Sequence, residues 1–293
     1  MIWGLVVPMI VAVAAAFGAA AAQRRLRPDV ATWTLTLLAG GSALAVLWAV
    51  GVLALGFAVE QPALSAAFGW CRALFSSHDH ISAPVGVAAW IALVVMVASL
   101  IRTVCRRRRA VRPVDEDLIH SDVPIAFAVP GRPGTVVVST GMLNCLAPDE
   151  QRALFAHERS HLRRHHHRFL RIAEMAAAVA PILAPLRAQV RFSTERWADE
   201  DAASELGDRR IVARAIARAA LAASGGSATA PVMGFTGLTT AARVEALLDR
   251  PMRLDRSTVT LAVVGIAGIA VSLGGSGVQF HHLVEFMRHI CQI

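Results

Sequence analysis

Long apolar runs alternate with polar segments along this chain. Four runs approach or exceed the roughly 20 residues that a helix needs to cross a bilayer core of about 30 Å. They cover residues 1–22, 30–59, 84–100 and 258–280. This pattern predicts an α-helical integral membrane protein with about four transmembrane helices. Three of them belong to residues 1–104, and the fourth lies with a short tail in residues 257–293.

The segment between these runs, residues 105–256, has the mixed pattern of a folded domain. Residues 126–129 and 135–139 are apolar and flank a Pro-Gly turn, which predicts strand, turn, strand. Pro148, Asp149 and Glu150 are typical of a helix N-terminus, and the helix should run through His161. Further helices are expected at 195–206, 209–223 and 241–248, with a mobile loop at 224–230. The prediction is a mostly helical α+β domain.

A fifth apolar stretch, residues 175–186, is too short to cross a bilayer and contains Pro181 and Pro185. A buried core helix and a hairpin that abuts the membrane both fit this stretch. A single crossing here would place His157 and Glu195 on opposite sides of the membrane.

Charge sets the expected orientation. The net charge is +8, and every basic residue is Arg, because the chain has no Lys. The arginines cluster beside the apolar runs, at residues 24–27, 106–109 and 253–256, which indicates cytoplasmic flanks rather than a nucleic-acid surface. The first run has no preceding positive charge, unlike a signal peptide. We therefore expect a multi-pass protein of the cell membrane, with residues 105–256 cytoplasmic and both termini external.

The four cysteines are Cys71, Cys105, Cys145 and Cys291, and none forms a CxxC pair. No cysteine-based zinc site is therefore indicated. Cys71 and Cys291 both fall on the predicted outer side, so a disulfide between them is left open.

The strongest chemical signal is His157-Glu158-Arg159-Ser160-His161. Positions i and i+4 share one helix face, so His157 and His161 can bind one zinc ion. Glu158 lies beside the first ligand, where a carboxylate can take a proton from water activated by zinc. The alternative is a surface helix whose histidines are unrelated.

A catalytic zinc needs a third protein ligand. His165, one turn further along, and a downstream acid are the candidates, and Glu195 is favoured. Asp199 follows Glu195 at i+4 and could orient a ligand histidine. Spacing alone also fits an ordinary acidic helix face. The run His165-His166-His167 lies among arginines and is expected to form a solvated or headgroup-facing surface.

These paired motifs resemble those of the gluzincin membrane peptidases, which include the heat-shock membrane protease and the CAAX prenyl proteases. The resemblance is closer to the BlaR/MecR-type antirepressor peptidases. Residues 136–141 and 146–150 resemble the segment before the zinc helix in that group, and residues 243–248 resemble its later Arg-containing helix. The similarity covers roughly residues 105–255 and implies a zincin-like catalytic domain.

The resemblance implies roles for several residues. His157, His161 and Glu195 would bind zinc, Glu158 would be the general base, and Asp199 would support a ligand. Arg243, Val137 and Ser139 would contact substrate or the transition state, with the strand edge at 136–139 pairing with an extended peptide.

The implied substrate is a cytoplasmic winged-helix repressor, and the other partner is membrane lipid. An oligomer is possible, and no direct contact with nucleic acid is expected. Penicillin-sensing members carry an extracellular sensor after the last membrane helix, whereas this chain ends 13 residues after Phe280. Direct sensing of a β-lactam by this chain is therefore not expected.

The leading hypothesis is a membrane zinc metalloendopeptidase that cleaves a transcriptional repressor in a signalling pathway. Quality-control proteolysis of membrane proteins is the alternative within enzymes. A non-catalytic membrane scaffold that keeps a zinc fold is the alternative outside them.

Overall fold

A computed structural model describes residues 26–61, 81–110, 117–131, 133–225 and 233–249, with isolated positions elsewhere. The predicted helices at 1–22 and 258–280, the external tail, Cys71 and Cys291 lie outside the described residues. The described chain is mostly helical. Its elements are α1 (Pro28–Glu60), α2 (Ala83–Ala110), β1 (Leu118–Ile119), β2 (Ala126–Val129), β3 (Thr135–Ser139), α3 (Thr140–Asn144), α4 (Pro148–Arg163), α5 (His166–Val179), a 3₁₀ turn (Pro181–Leu183), α6 (Ala184–Leu206), α7 (Arg209–Gly225) and α8 (Met233–Leu248).

Helices α1 and α2 are the two described helices that are long and apolar enough to cross a membrane. They confirm two of the predicted spans as helices, and the number four stays a prediction. The start of α2 lies beside the end of α1. Gly86 of α2 packs so closely on the Phe57 ring of α1 that a Cβ added at Gly86 would come 2.0 Å from it. The two helices are therefore antiparallel. Helix α2 continues without a break through the arginines at 106–109.

Helix α1 also packs against helices of the segment 105–256. It shares a core with α5 and α6, and the Trp33 and Phe169 rings meet edge to face at 4.8 Å between centroids. The polar residues at its start are buried too, and Thr32 donates to the Pro28 carbonyl oxygen at 2.8 Å. Helix α1 is thus half enclosed by protein, whereas few residues of α2 are buried.

The apolar stretch at 175–186 forms a helical hairpin that does not cross to the far end of α1. Helix α5 ends at Val179, the 3₁₀ turn follows, and α6 begins at Ala184. Proline at the start of the turn and of α6 explains the break, since proline suits the first helical position and disrupts an interior one. One face of the hairpin is buried against α1 through Ala176, Val179, Ala180, Leu183 and Leu186.

The three strands form one sheet in the order β1-β3-β2. The predicted strands 126–129 and 135–139 are confirmed, and they pair antiparallel with Phe127 opposite Val137. The two-residue strand β1, which was not predicted, pairs parallel to β3 on its other side. Strand β3 is therefore central among the described strands.

This order counts against the expected substrate-binding edge at 136–139, which stays a prediction. Strand β2 pairs along one side of β3, β1 pairs with Val138 and Ser139 on the other, and the side chains of Val137 and Ser139 are buried. The Ser139 hydroxyl donates to the Val123 carbonyl oxygen at 2.7 Å and accepts the Met142 N–H at 3.1 Å. Both side chains therefore support the fold. The edge nearer to α4 is β2.

The remaining helices form a second core of small side chains, built from α4, α6, α7 and α8. Ala153 and Ala156 of α4 meet Ala202 and Ala203 of α6, and such small residues allow a close approach of two helices. The predicted helices are present with two changes. Helix α6 begins eleven residues before Glu195, and α8 begins at Met233 rather than Ala241.

Candidate metal centre

Helix α4 is fixed at its N-terminus before it reaches the candidate ligands. Pro148 occupies its first turn together with Asp149 and Glu150, as predicted. The buried Glu150 carboxylate accepts the Ala147 N–H at 3.0 Å and an N–H of Arg218 at 2.9 Å. This contact ties the start of α4 to α7 and so defines the direction in which His157 and His161 project.

His157 and His161 project from one face of α4, with their Nε2 atoms 3.1 Å apart. Glu195 of α6 faces them, and its carboxylate oxygens lie 3.5 Å from His157 Nε2 and 3.8 Å from His161 Nε2. All three potential ligand atoms lie within 4.8 Å of one another. Among the described residues this is the one such group, and His165 is not part of it.

The donor set fits zinc. Two imidazole nitrogens and one carboxylate oxygen are the protein ligands that catalytic zinc sites use, with metal–ligand distances of about 2.0–2.2 Å. Two neutral Nε2 acceptors facing each other at 3.1 Å would repel unless a proton or a cation lies between them. The convergence of the three groups on one point therefore suits a shared metal ion.

Asp199 and Arg243 stand behind the three ligands. One oxygen of the fully enclosed Asp199 carboxylate lies 2.9 Å from His157 Nδ1. Arg243 of α8 donates to both Asp199 oxygens, at 2.8 and 2.7 Å, and its third nitrogen lies 3.1 Å from Glu195. Arg243 thus holds a supporting carboxylate and a candidate ligand with one planar group, an arrangement that lysine could not reproduce.

These charges shift the titration of the site. Burial opposes protonation of His157, yet the adjacent Asp199 and Glu195 carboxylates prevail and raise its pKa to about 10. Burial also opposes ionisation of Glu195, but His157 and Arg243 hold its pKa well below the usual range. Burial and the neighbouring positive His157 lower the pKa of His161 to about 4. Glu195 therefore stays ionised and His161 stays neutral, the forms in which a carboxylate and an imidazole can bind a metal ion.

Glu158 points into the same region from the neighbouring position on α4. Its carboxylate is buried and accepts the backbone N–H of Ala128 on β2. Burial raises its pKa above the usual carboxyl value, an effect that suits a general base which must release its proton again. Glu158 and His157 line a cavity of about 260 Å³ whose other walls are mainly aliphatic, among them Leu154 and Ile216.

His166 was missed as a site residue. It was expected on a solvated surface, but its side chain is completely buried. Its Nδ1 lies 2.9 Å from His161 Nδ1, and its ring packs against Trp197 at 5.1 Å between centroids. The turn that permits this is His165, whose φ of 53° and ψ of 40° are left-handed. No periodicity in three consecutive histidines indicates which one the turn buries.

Asp201 fixes that turn from α6. Its carboxylate accepts the Ser160 hydroxyl at 2.8 Å and the Arg164 Nε–H at 2.9 Å. Burial alone would raise the pKa of Asp201, but these two contacts lower it. A left-handed non-glycine residue costs about 1–3 kcal/mol and persists only where its surroundings impose it. Asp201 is part of those surroundings, and sequence spacing gave no sign of its role.

A second cavity lies on the other side of Glu195 and Arg243. It has a volume of about 680 Å³ and a basic lining that includes Arg107, Arg187 and Arg191. The candidate centre therefore lies between an aliphatic cavity and a basic one, and both reach Glu195, Thr240 and Arg243.

Comparison with known proteins gives one result. Residues 90–236, half of the chain, match the model of Peptidase family M48. No curated protein and no solved structure matches the chain. The matched segment contains helix α4, the hairpin and helix α6 entire, and with them the five residues His157, Glu158, His161, Glu195 and Asp199.

Proposed function

The chain belongs to peptidase family M48, and on that premise we propose that it is a membrane-embedded zinc endopeptidase whose active site faces the cytoplasm. Family membership implies a metal-dependent peptidase. The observation that carries the finer proposal is the meeting of two imidazoles and one carboxylate within 4.8 Å, beside a buried glutamate. In this proposal His157, His161 and Glu195 bind zinc, and Glu158 is the general base.

The chemistry divides between the ion and the side chains. Zinc, when bound, would polarise the scissile carbonyl and lower the pKa of a water molecule. Glu158 would take the proton of the attacking water and pass it to the leaving amine, for which a carboxylate of raised pKa is well suited. Asp199 would orient the His157 ring through Nδ1, and Arg243 would hold Asp199 and Glu195 in place.

The substrate backbone would add a strand to β2. Ile125 bonds to Ser139 of β3 through its carbonyl oxygen, so by alternation Ala126 and Ala128 direct their backbone groups away from β3. The Ala128 N–H already reaches Glu158, so a peptide lying along this edge would run beside the general base. This replaces the edge at 136–139 that the sequence predicted.

The proposed substrate is a cytoplasmic transcriptional repressor, which follows from the resemblance to the BlaR/MecR-type peptidases. Quality-control cleavage of membrane proteins is the second candidate. The basic cavity favours it, because Arg107 lines that cavity and belongs to the last turn of α2, so the cavity lies beside a proposed membrane helix. A Glu158→Gln variant that retains substrate would separate the two. One dominant DNA-binding protein in the trap supports the first candidate, and many membrane proteins support the second.

The metal assignment is tested by elemental analysis of the purified protein. Wild type should hold one zinc ion per chain, and His161→Ala should lose it. His167→Ala is the matched control, because His167 is outside the ligand group. Equal zinc in all three proteins would refute the site. If Glu158→Gln kept zinc and full biological effect, the protein would act as a scaffold and not as a peptidase.

The orientation is tested with reporters. A reporter fused at Gly225, the end of α7, should behave as cytoplasmic, and one fused at Ile293 should behave as external. The opposite pair of results would refute the assignment drawn from the arginine clusters.

A further inference from the structure

The hairpin between α5 and α6 ends in an apolar tip. We use "hairpin tip" for residues 175–186, which carry no charged side chain and lie between Glu174 and Arg187. One face of the tip is buried against α1, but its end is exposed: 60% of Ile182 is accessible, and Pro181 and Pro185 are exposed as well. An apolar loop end of this kind would be unfavourable in water.

The hairpin tip lies alongside the apolar part of the long helices. Helix α5 runs in the same direction as α1, because Phe169 meets Trp33 and Ile172 meets Gly40. Glu174, just before the tip, pairs with Arg107 at the cytoplasmic end of α2. Beyond that ion pair the chain therefore continues toward the apolar middle of α1 and α2.

The depth of the tip follows from the position of α5 along α1 and α2. Residues 83–101 of α2 carry no charge, and 19 residues at 1.5 Å each give about 28 Å, close to the thickness of a bilayer core. Met96 and Leu100, which lie about 3–9 Å to the apolar side of Arg102, pack against the same core cluster as the hairpin. Val179 lies about 10 Å beyond Ile172, which meets Gly40 of α1, so the tip lies beside the apolar middle of α1.

We propose that the hairpin tip inserts among the lipid acyl chains of the cytoplasmic leaflet without crossing the membrane. This inference rests on the membrane embedding proposed above. The backbone can tolerate such a position, because the tip is helical, the Leu183 N–H bonds to the Ala180 carbonyl oxygen, and prolines have no N–H to satisfy. Exposed Arg171 and Arg187 flank the tip on its two legs, where they would meet anionic headgroups.

Lipid, rather than a protein partner, is supported by continuity. The hairpin shares a core cluster with Met96 and Leu100 of α2, and the same helix exposes Ile91, Val94 and Val95, each by more than half. An exposed apolar tip packed beside a candidate membrane helix and bounded by arginines has the composition of an interfacial anchor.

Site-directed fluorescence tests the proposal on the full chain in phosphatidylcholine and phosphatidylglycerol vesicles. The four native cysteines are replaced by serine, and an environment-sensitive fluorophore is attached at Ile182→Cys. Val94→Cys on α2 is the control for lipid contact, and Leu221→Cys on α7, 72% exposed, is the control for water contact. Lipids brominated along the acyl chain then serve as quenchers, and retained zinc content shows that each labelled protein is folded.

The expected result is at least twofold quenching at positions 182 and 94 and none at 221. Quenching at 94 alone would overturn the insertion of the hairpin and leave membrane embedding intact. Absence of quenching at both positions would overturn the embedding and the hairpin proposal with it. If the unlabelled Ile182→Cys chain forms a disulfide-linked dimer and the labelled chain is not quenched, the tip contacts a second copy and the lipid contact is refuted. Quenching at all three positions would refute it too, because the effect would not be specific to the tip.

Discussion

Asp199 offers the sharpest test of how the centre is held, because it touches a candidate ligand without being one. Its carboxylate accepts two N–H groups of Arg243, at 2.8 and 2.7 Å, and lies 2.9 Å from His157 Nδ1. Asp199→Asn keeps the shape but replaces one acceptor oxygen by an NH₂ donor. In either orientation that donor faces an N–H of Arg243, and at the Oδ1 position it faces the His157 Nδ1–H as well, so at least one contact becomes repulsive.

The magnitude can be worked from these contacts. If the mismatch falls on His157, the ring turns or exchanges its proton, and Nε2 no longer presents a lone pair to the metal. Loss of such a supporting contact reduces metal affinity by about 10–100-fold, or about 1.4–2.8 kcal/mol. Asp199→Ala should be worse for the fold, because it leaves the buried Arg243 with Glu195 alone and costs about 3–5 kcal/mol.

Two measurements separate these effects. Competition with a chromogenic zinc chelator gives the affinity, and thermal unfolding of the metal-free protein gives the stability. Glu205→Gln is the matched control, since Glu205 is on the same helix and pairs with the exposed Arg159 and Arg163, away from the ligand histidines. If Asp199→Asn bound zinc within about threefold of wild type while Glu195→Gln lost it, the supporting role of Asp199 would be refuted.

Three further predictions concern residues around the centre. His166→Phe keeps a buried ring but removes the nitrogen that faces His161 Nδ1, so zinc affinity by chelator competition should fall about tenfold; an unchanged affinity would contradict this. Gly141→Ala would place a Cβ 2.2 Å from the Asp122 carbonyl oxygen, so the free energy of unfolding in denaturant should fall by about 1–3 kcal/mol. Asp201→Asn should lower the melting temperature at pH 7. Because the pKa of Asp201 in the folded protein is below 3.8, the difference in melting temperature from wild type should persist down to about pH 5 and shrink below about pH 4. A difference that stays constant with pH would refute the ionic role.

Features set by local pattern were predictable from the sequence. The two strands around the Pro-Gly turn, the start of α4 at Pro148 and the i, i+4 pairing of His157 with His161 all depend on neighbours in the chain. The approach of Glu195 was predictable as well, although only through the recurrence of an acidic pair at helical spacing. Its role as a metal ligand remains a proposal.

Features set by distant contacts were not predictable. Strand β3 is central only because a two-residue strand pairs with it, and two residues show no alternation. His166 is buried because His165 adopts a left-handed turn that Asp201 of another helix supports. The early start of α6 depends on the packing of Leu183 and Leu186 against α1, which no pattern within 175–186 reveals.

Helix α6 has a mechanical consequence. It is one uninterrupted rod that begins in the hairpin at Ala184 and carries Glu195 eleven residues later, about 16 Å along its axis. A tilt of about 5° around its buried end would displace Glu195 by about 1.4 Å. Misplacement of a catalytic group by about 1 Å can reduce a rate about 100-fold. If the hairpin is anchored in lipid as proposed above, the same rod is a lever through which thinning or stretching of the bilayer would displace Glu195 within the candidate metal centre.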